Sequence, residues 1–350
     1  MMGRLVAFFA CAVFAAGVPG FVEDAPAATA AKVSLQSVID GARKEGVLEF
    51  YASAAMGPEG GRAIKDALNG KFRLNLDLKF TGSGSMTRDV AKVVTELSAG
   101  APATWDIMVV NDAHYATLVN NEALDSVDWG GSFGIEPKAI FYNGLAVAVA
   151  TQFVSPAYNN QRVKPADAPK RWEDLLDPKW KGKIGVSSAT HHWARLAQVW
   201  GDEKTTKFVE ALAKQSPALG RVPEVYTRLQ LGETLVAATM VDDYIDQAKK
   251  TGAPVVFIDN PDPIIATHFL AAPLKRAKHR NAAILITAFL ASPEGQAVWA
   301  KIMGQTSMYF QGTPAYQFAQ KKNVVPLDYK FALTQLEDLS SKYGRLIGYR

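Results

Sequence analysis

One cysteine occurs among 350 residues, at position 11, inside an apolar stretch near the start of the chain. Without a second cysteine there is no internal disulfide and no cysteine-rich zinc cluster. Beyond Cys11 there is no thiol nucleophile either. Long apolar runs are scarce too. Residues 5–16 (LVAFFACAVFAA) form a run of about a dozen, against the ~20 that a helix needs to cross a bilayer. No later stretch is long and apolar enough for that role. An excess of one charge sign is also missing. Thirty-eight Lys and Arg face 34 Asp and Glu, for a net charge of +4, and the bases lie scattered among acids without interleaved aromatics. Nucleic-acid binding is therefore not indicated. No Gly-x-Ser-x-Gly elbow, His-Glu-x-x-His helix or glycine-rich phosphate loop with a lysine is present. An enzyme is not expected, and neither is a resident cofactor or metal.

What is there begins with an export signature. Arg4 precedes the apolar run, Gly17, Pro19 and Gly20 end it, and Ala28-Thr29-Ala30 supplies the small-x-small pattern. This order predicts a cleaved secretory signal over residues 1–30 and a periplasmic location. Its removal takes Cys11, one base and two acids (Arg4, Glu23, Asp24). The exported chain is then slightly more basic, which leaves room for a negative ligand. With no disulfide it depends on apolar cores, and its length allows one or two of ordinary size.

Along the rest of the chain, strands alternate with helices. Leu35, Val38, Ile39 and Ala42 form an amphipathic stripe closed by Gly46, and residues 47–51 follow as a strand. Gly57-Pro58-Glu59 opens a second helix. Residues 73–80 alternate as a strand, residues 81–85 read as a turn, and Ser85 caps a helix with the stripe Val90, Val93, Val94 and Leu97. Residues 105–110 read as a buried strand and residues 139–150 as one long apolar strand. A second set of helices and strands runs from Lys183 to Ile258. Successive β–helix units predict a doubly wound α/β fold. The expected architecture has two lobes, each a mainly parallel sheet flanked by helices, with two crossover strands as a hinge. Lobe 1 comprises residues 31–143 and 262–350, and lobe 2 residues 144–261. A cleft between lobes is a place for a small molecule.

Several segments carry a family resemblance: Ala42-Arg43-Lys44-Glu45-Gly46-Val47, the stretch from Trp172 to Ile184 (WEDLLDPKWKGKI), Leu231-Gly232-Glu233, and Ser292-Pro293-Glu294-Gly295-Gln296. In this order the chain resembles extracellular solute-binding proteins of ABC importers, with the type 2 periplasmic binding fold. The branch is the one containing ferric-ion, 2-aminoethylphosphonate and thiamine binders. The resemblance implies a monomeric receptor that closes on a small solute and delivers it to a membrane permease. It identifies a scaffold better than a ligand.

Three turns offer small hydroxyl residues at helix starts, where unpaired N–H groups and a partial positive charge favour anions. They are Ser53 and Ala54, then Ser83, Gly84 and Ser85, then Ser187, Ser188 and Thr190. Each also reads as an ordinary cap. His191 and Trp193 begin the next helix, with Trp193 a candidate to stack on ligand. Asn111 ends a strand, with Asp112 a cap for the helix behind it. Tyr142 stands with Asn143 on the crossover strand. Arg221 and Arg228 are candidates to grip a carboxylate or phosphonate. Val241-Asp242-Asp243-Tyr244 matches the place where ferric-binding relatives carry two adjacent tyrosines. Only Tyr244 remains, so iron, through Tyr244, Asp242 and Glu59, is the alternative to a small organic anion such as a carboxylate, amino-acid-like compound or phosphonate.

Overall fold

The computed structural model describes residues 32–258 and 261–349. The expected signal segment and Cys11 lie outside the described residues. Among those described, no helix is long and apolar enough to cross a membrane.

The first half runs α1 (Leu35–Glu45), β1 (Val47–Ser53), α2 (Gly57–Phe72), β2 (Asp77–Ser83), α3 (Met86–Ser98), β3 (Ile107–Met108) and β4 (Val110–Asn111). It continues through α4 (Asp112–Asn120), α5 (Trp129–Phe133), β5 (Ile140–Phe141) and β6 (Ala146–Asn159). Next come β7 (Ile184–Ser187), α6 (His191–Trp200), α7 (Asp202–Ala213), β8 (Ala218–Gly220), α8 (Val222–Leu231), β9 (Val236–Val241), α9 (Asp242–Thr251) and β10 (Val255–Phe257). The chain closes with β11 (Ile264–Ala271), α10 (Arg280–Leu290), α11 (Pro293–Met303), α12 (Pro314–Ala319), β12 (Val324–Val325), α13 (Tyr329–Thr334) and α14 (Leu336–Ile347).

Two sheets organise these elements. The smaller has the order β2-β1-β3, all parallel. The larger has nine strands on the path β12-β11-β6-β9-β7-β8, with β4 on β11 and with β5 and β10 on β6. The larger sheet is mixed, which corrects the expectation of a mainly parallel one. Its spine is the 14-residue β6, antiparallel to β5, β9, β10 and β11. Parallel pairing is left to β7 with β8 and β9, and to β11 with β12.

Three local readings change. The strand expected over residues 73–80 is shifted, because Arg73 ends α2 in the left-handed region at φ 52°. Pairing with β1 then carries β2 through Thr81, Gly82 and Ser83, residues that read as a turn. The strand expected over residues 105–110 is broken into β3 and β4, with Trp105 tilted against Tyr51 at 4.6 Å between ring centroids. The long strand expected over residues 139–150 folds back on itself. Tyr142, Asn143 and Gly144 take positive φ values of 53°, 55° and 94°, and Ile140 pairs with Val147 across the turn.

The family-like motifs turn out to be architectural. The Glu45 carboxylate accepts the Asn281 and Ala282 amides at 3.0 and 2.8 Å, holding the start of α10. A carboxylate at a helix N-terminus satisfies donors that have no partner within the helix. Trp172 is wholly buried and donates its indole N–H to the Pro263 carbonyl at 2.9 Å. In the Ser-Pro-Glu-Gly-Gln piece, Ser292 caps α11 and Pro293 takes the first turn. The buried Gln296 amide donates to the carbonyls of Val149 and Leu290, each at 2.7 Å, and accepts from Ser307 N at 2.8 Å. One apolar core packs α1, α2 and α10 on the smaller sheet around Phe50, Ile64, Leu68 and Phe289. Another lies under α6 and α7, around Trp172, Trp193, Phe208 and Tyr343.

Candidate functional site

Several helix starts meet at one cavity of about 410 Å³. Thr87 of α3 and His114 of α4 bound one side, and Ser188, Thr190 and His191 bound another. Residues of α13 and α14, from Ala332 to Ser341, form the third. The side chain of Thr190 makes no capping bond to α6. The His192 and Trp193 amides already bond the Ala189 and Thr190 carbonyls at 3.0 Å each, so the helix start is only partly open, with the His191 N–H beside Ser188.

The facing wall is tied down. Asn111 Oδ1 accepts the backbone N–H of His114 at 3.1 Å and lies 2.7 Å from its ring Nδ1. Because that oxygen only accepts, Nδ1 carries the proton. Nε2 is then left to accept the Thr87 hydroxyl at 3.1 Å. Burial holds His114 below the usual imidazole range against the pull of Asp112. His191 is lowered further, first by burial and then by His192, Arg195 and His114. His192 falls to about 3, by burial and by Arg195. The His191 and His192 rings meet edge to face at 4.5 Å, and each has a buried Nδ1 without a partner among the described residues.

One turn further along α6, Arg195 reaches Asp112 at the start of α4. Nη1 lies 3.4 Å from Oδ2, and Nη2 contacts Oδ1. Both side chains are buried, at 2% and 0% exposure. Asp112 also accepts the His268 amide at 3.1 Å, while its own carbonyl takes the Tyr142 hydroxyl at 2.8 Å. Asp112 is thus not the cap expected of it, which is Asn111. His268 bridges Thr151 at 3.2 Å and Tyr309 at 3.1 Å, and burial lowers it to about 4.

Ser188, Thr190 and His191 are the sequence candidates that line this cavity. Trp193 is corrected: it is fully buried against Trp172 and Phe208 and offers no face to a ligand. Ser187 is buried and bonded to Thr239 at 3.0 Å. Tyr142 is buried with its hydroxyl used on Asp112. Arg228 sits in the last turn of α8 and donates to the Leu219 carbonyl at 2.8 Å. Arg221 pairs with Glu224. Ser53 accepts from Ala55 N, and Ala54 packs 3.1 Å from where a Cβ on Gly82 would stand. Ser83 pairs with Ser53 where β2 and β1 end, Gly84 lies beside Arg88, and Ser85 caps α3.

Asp242 faces a separate cavity of about 160 Å³ with Gln305 and Asp246. One of its oxygens accepts the Phe153 amide at 3.0 Å. Burial and then Asp243 raise its pKa well above the carboxylate range. Asp243 is raised by burial, against bonds from Gln152 and Gln305. Tyr244 stacks on Tyr226 at 4.7 Å, and burial raises its phenol. Glu59 is exposed and paired with Arg62. Among the described residues no three His, Cys, Asp or Glu side chains are placed to hold a metal ion. A larger cavity of about 1060 Å³ along α11 and residues 306–314 includes none of the sequence candidates.

Thr87, His114 and the α13–α14 wall were not among those candidates. His114 had a usable signal, since it stands three residues after the capping Asn111. Capping residues Thr313 before Pro314 and Asp328 before Tyr329 mark helices in the tail, but nothing local says that the tail returns to the site.

A model for bacterial extracellular solute-binding proteins matches residues 137–342, and the chain belongs to that family. It is the periplasmic solute-binding protein of an ABC transporter, non-catalytic, with a solute and a membrane permease as its partners. Solved structures share its fold. FutA from Trichodesmium, in complex with iron and citrate, aligns with a TM-score of 0.71 and 18% identity, over 87% of this chain and 100% of that one. Iron-bound HitA from Pseudomonas aeruginosa gives 0.70 and 20%, over 85% and 99%. AfuA from Actinobacillus pleuropneumoniae, with fructose-6-phosphate bound, gives 0.70 and 22%, over 86% and 98%.

Proposed function

We propose that the chain captures a small organic anion, a phosphate ester, phosphonate or carboxylate, in the 410 Å³ cavity. Two lobes, residues 31–143 with 262–350 and residues 144–261, close over the solute. The closed single chain presents it to the permease. The observation that carries this reading is the start of α6, which has no side-chain cap, beside Ser188, Thr190 and His191. The His191 N–H, the helix dipole and the hydroxyls there can hold an anion without a fixed cation. A solute touching both walls of the gap favours the closed form by its differential contacts. The fructose-6-phosphate bound to AfuA is consistent with such a ligand.

Ferric ion is the second reading. The likeness to iron-bearing FutA and HitA favours it over a free organic anion. The chain's own residues weigh the other way, because Tyr244, Asp242 and Glu59 each have other partners and hard Fe(III) asks for several anionic oxygens together. A thermal-shift screen of phosphate esters, phosphonates, carboxylates and ferric citrate separates the two. A ligand of the native state raises the melting temperature by linkage. Stabilisation by an organic anion, weakened in Ser188→Ala and Thr190→Ala, supports the first reading. A visible charge-transfer band on adding ferric salt, lost in Tyr244→Phe, replaces it with the second.

A further inference from the structure

The tautomer of His114 sets a hydrogen-bond polarity on one wall of the cavity. Asn111 ends β4 and caps α4, and its Oδ1 is fixed as an oxygen by the His114 backbone N–H that it accepts at 3.1 Å. The same oxygen lies 2.7 Å from Nδ1, so Nδ1 carries the ring proton. Burial holds His114 below the usual imidazole range. Asp112, on its own helix, pulls the other way, and Arg195 of α6 adds to the lowering. The neutral ring then has one acceptor, Nε2, and Thr87 Oγ1 lies 3.1 Å from it. A threonine hydroxyl has a single proton. Given to Nε2, it leaves Thr87 only lone pairs to offer the cavity that it lines with His114.

The wall across the cavity has the reverse polarity. There the His191 N–H and the Ser188 hydroxyl stand at the start of α6 as donors. A carboxylate or phosphoryl oxygen suits that wall. Set against Thr87, the same oxygen would face another oxygen with no proton between them, and both would lose the bonds that water gives them. A solute group at Thr87 has to donate.

We infer that Asn111, His114 and Thr87 form a relay that fixes Thr87 as a hydrogen-bond acceptor, and that Thr87 selects anions carrying a hydroxyl, over an ether oxygen or a methyl, opposite the charged group. Asn111 and His114 act through Thr87 and are positioning residues. This inference rests on the proposed cavity. Its test is titration of the whole protein with anions of equal charge that differ at one group: hydroxyethyl, methoxyethyl and propyl phosphate, and the hydroxy-, methoxy- and methyl-ended forms of short carboxylates. The expected result is about tenfold tighter binding of the hydroxyl member than of the other two, the scale of one hydrogen bond. Thr87→Val brings the three within about twofold of one another, and Thr87→Ser keeps the order. Asn111→Asp still caps α4 but sets a carboxylate beside Nδ1, which favours the imidazolium. Nε2–H then donates to Thr87, whose hydroxyl turns to the cavity as a donor, and the methoxy member rises to match the hydroxyl one. Ring nitrogen chemical shifts of His114 read the tautomer directly. Equal binding of the three by the native chain, an Nε2–H tautomer, or a hydroxyl preference that survives Thr87→Val, which would assign it to the acids of α14, overturns the inference and leaves the anion reading standing. Binding of no member overturns both.

Discussion

Replacing Arg195 by methionine tests how the two sides of the cavity are joined. The substitution keeps the volume and removes the charge. Asp112 is then a carboxylate at 0% exposure whose remaining hydrogen bond is the His268 amide at 3.1 Å. Removing one partner of a buried pair costs about 3–5 kcal/mol, because the other charge is left uncompensated. At ~2 °C per kcal/mol, the lower end for larger domains, the melting temperature falls by about 6–10 °C. Asp112→Asn alone strands the guanidinium and costs a similar amount. The double variant Arg195→Met/Asp112→Asn buries no charge and still offers an oxygen to the His268 amide. Its loss is expected to be smaller than either single loss, which puts the coupling at about 3 kcal/mol or more. Urea unfolding of the four proteins at one pH measures the cycle. Additive losses would refute the reasoning, because they would mean that the pair does not act as a unit.

Two other measurements probe the same structure. His192 at about 3 and His268 at about 4 lie below the unfolded value of 6.5. In that interval the unfolded chain binds more protons, so stability is complete above pH 6.5 and falls as pH drops, by up to ~1.4 kcal/mol per unit for each histidine. His268→Gln is expected to flatten this acid limb in urea midpoints taken from pH 8 to 4; an unchanged slope would show that His268 does not titrate as described. Gly295→Ala would set a Cβ 1.9 Å from the Phe289 carbonyl oxygen, and since backbone gives little, a loss of about 1–3 kcal/mol or more is expected in the same assay, with a neutral result excluding the tight turn between α10 and α11.

Much of the fold was legible because its signals are local. The stripe at Leu35, Val38, Ile39 and Ala42 and the left-handed Gly46 mark α1, and Ser85 marks α3. What failed needed partners distant in sequence. β2 extends through Gly82 and Ser83 because β1 pairs with them along its whole length. The break after Phe141 arises because β5 finds β6 across three left-handed residues. The site divides in the same way. Ser188, Thr190 and His191 stand at a strand-to-helix turn, a position that sequence pattern can reveal. Asp112 read as a cap because its spacing fits one, and its real partner, Arg195, lies 83 residues away.

The charges around the cavity also bear on why the proposed closure would matter. An anion there finds no free cationic side chain among the described residues, because Arg195 is engaged by Asp112 and the histidines are held uncharged. What remains is the start of α6, the hydroxyls of Thr87, Ser188 and Thr190, and His114 locked in one tautomer by Asn111. Each such group is worth about 1 kcal/mol against water. No single wall therefore holds a solute firmly. Affinity must come from several weak groups contributed by different elements at once, and that condition is met only when the walls stand together. Under the proposed closure, the same weakness would permit release, since opening the gap would remove most of those contacts in one step. A lysine placed at Ser188 would bind anions more strongly to one wall, and by doing so would uncouple binding from closure.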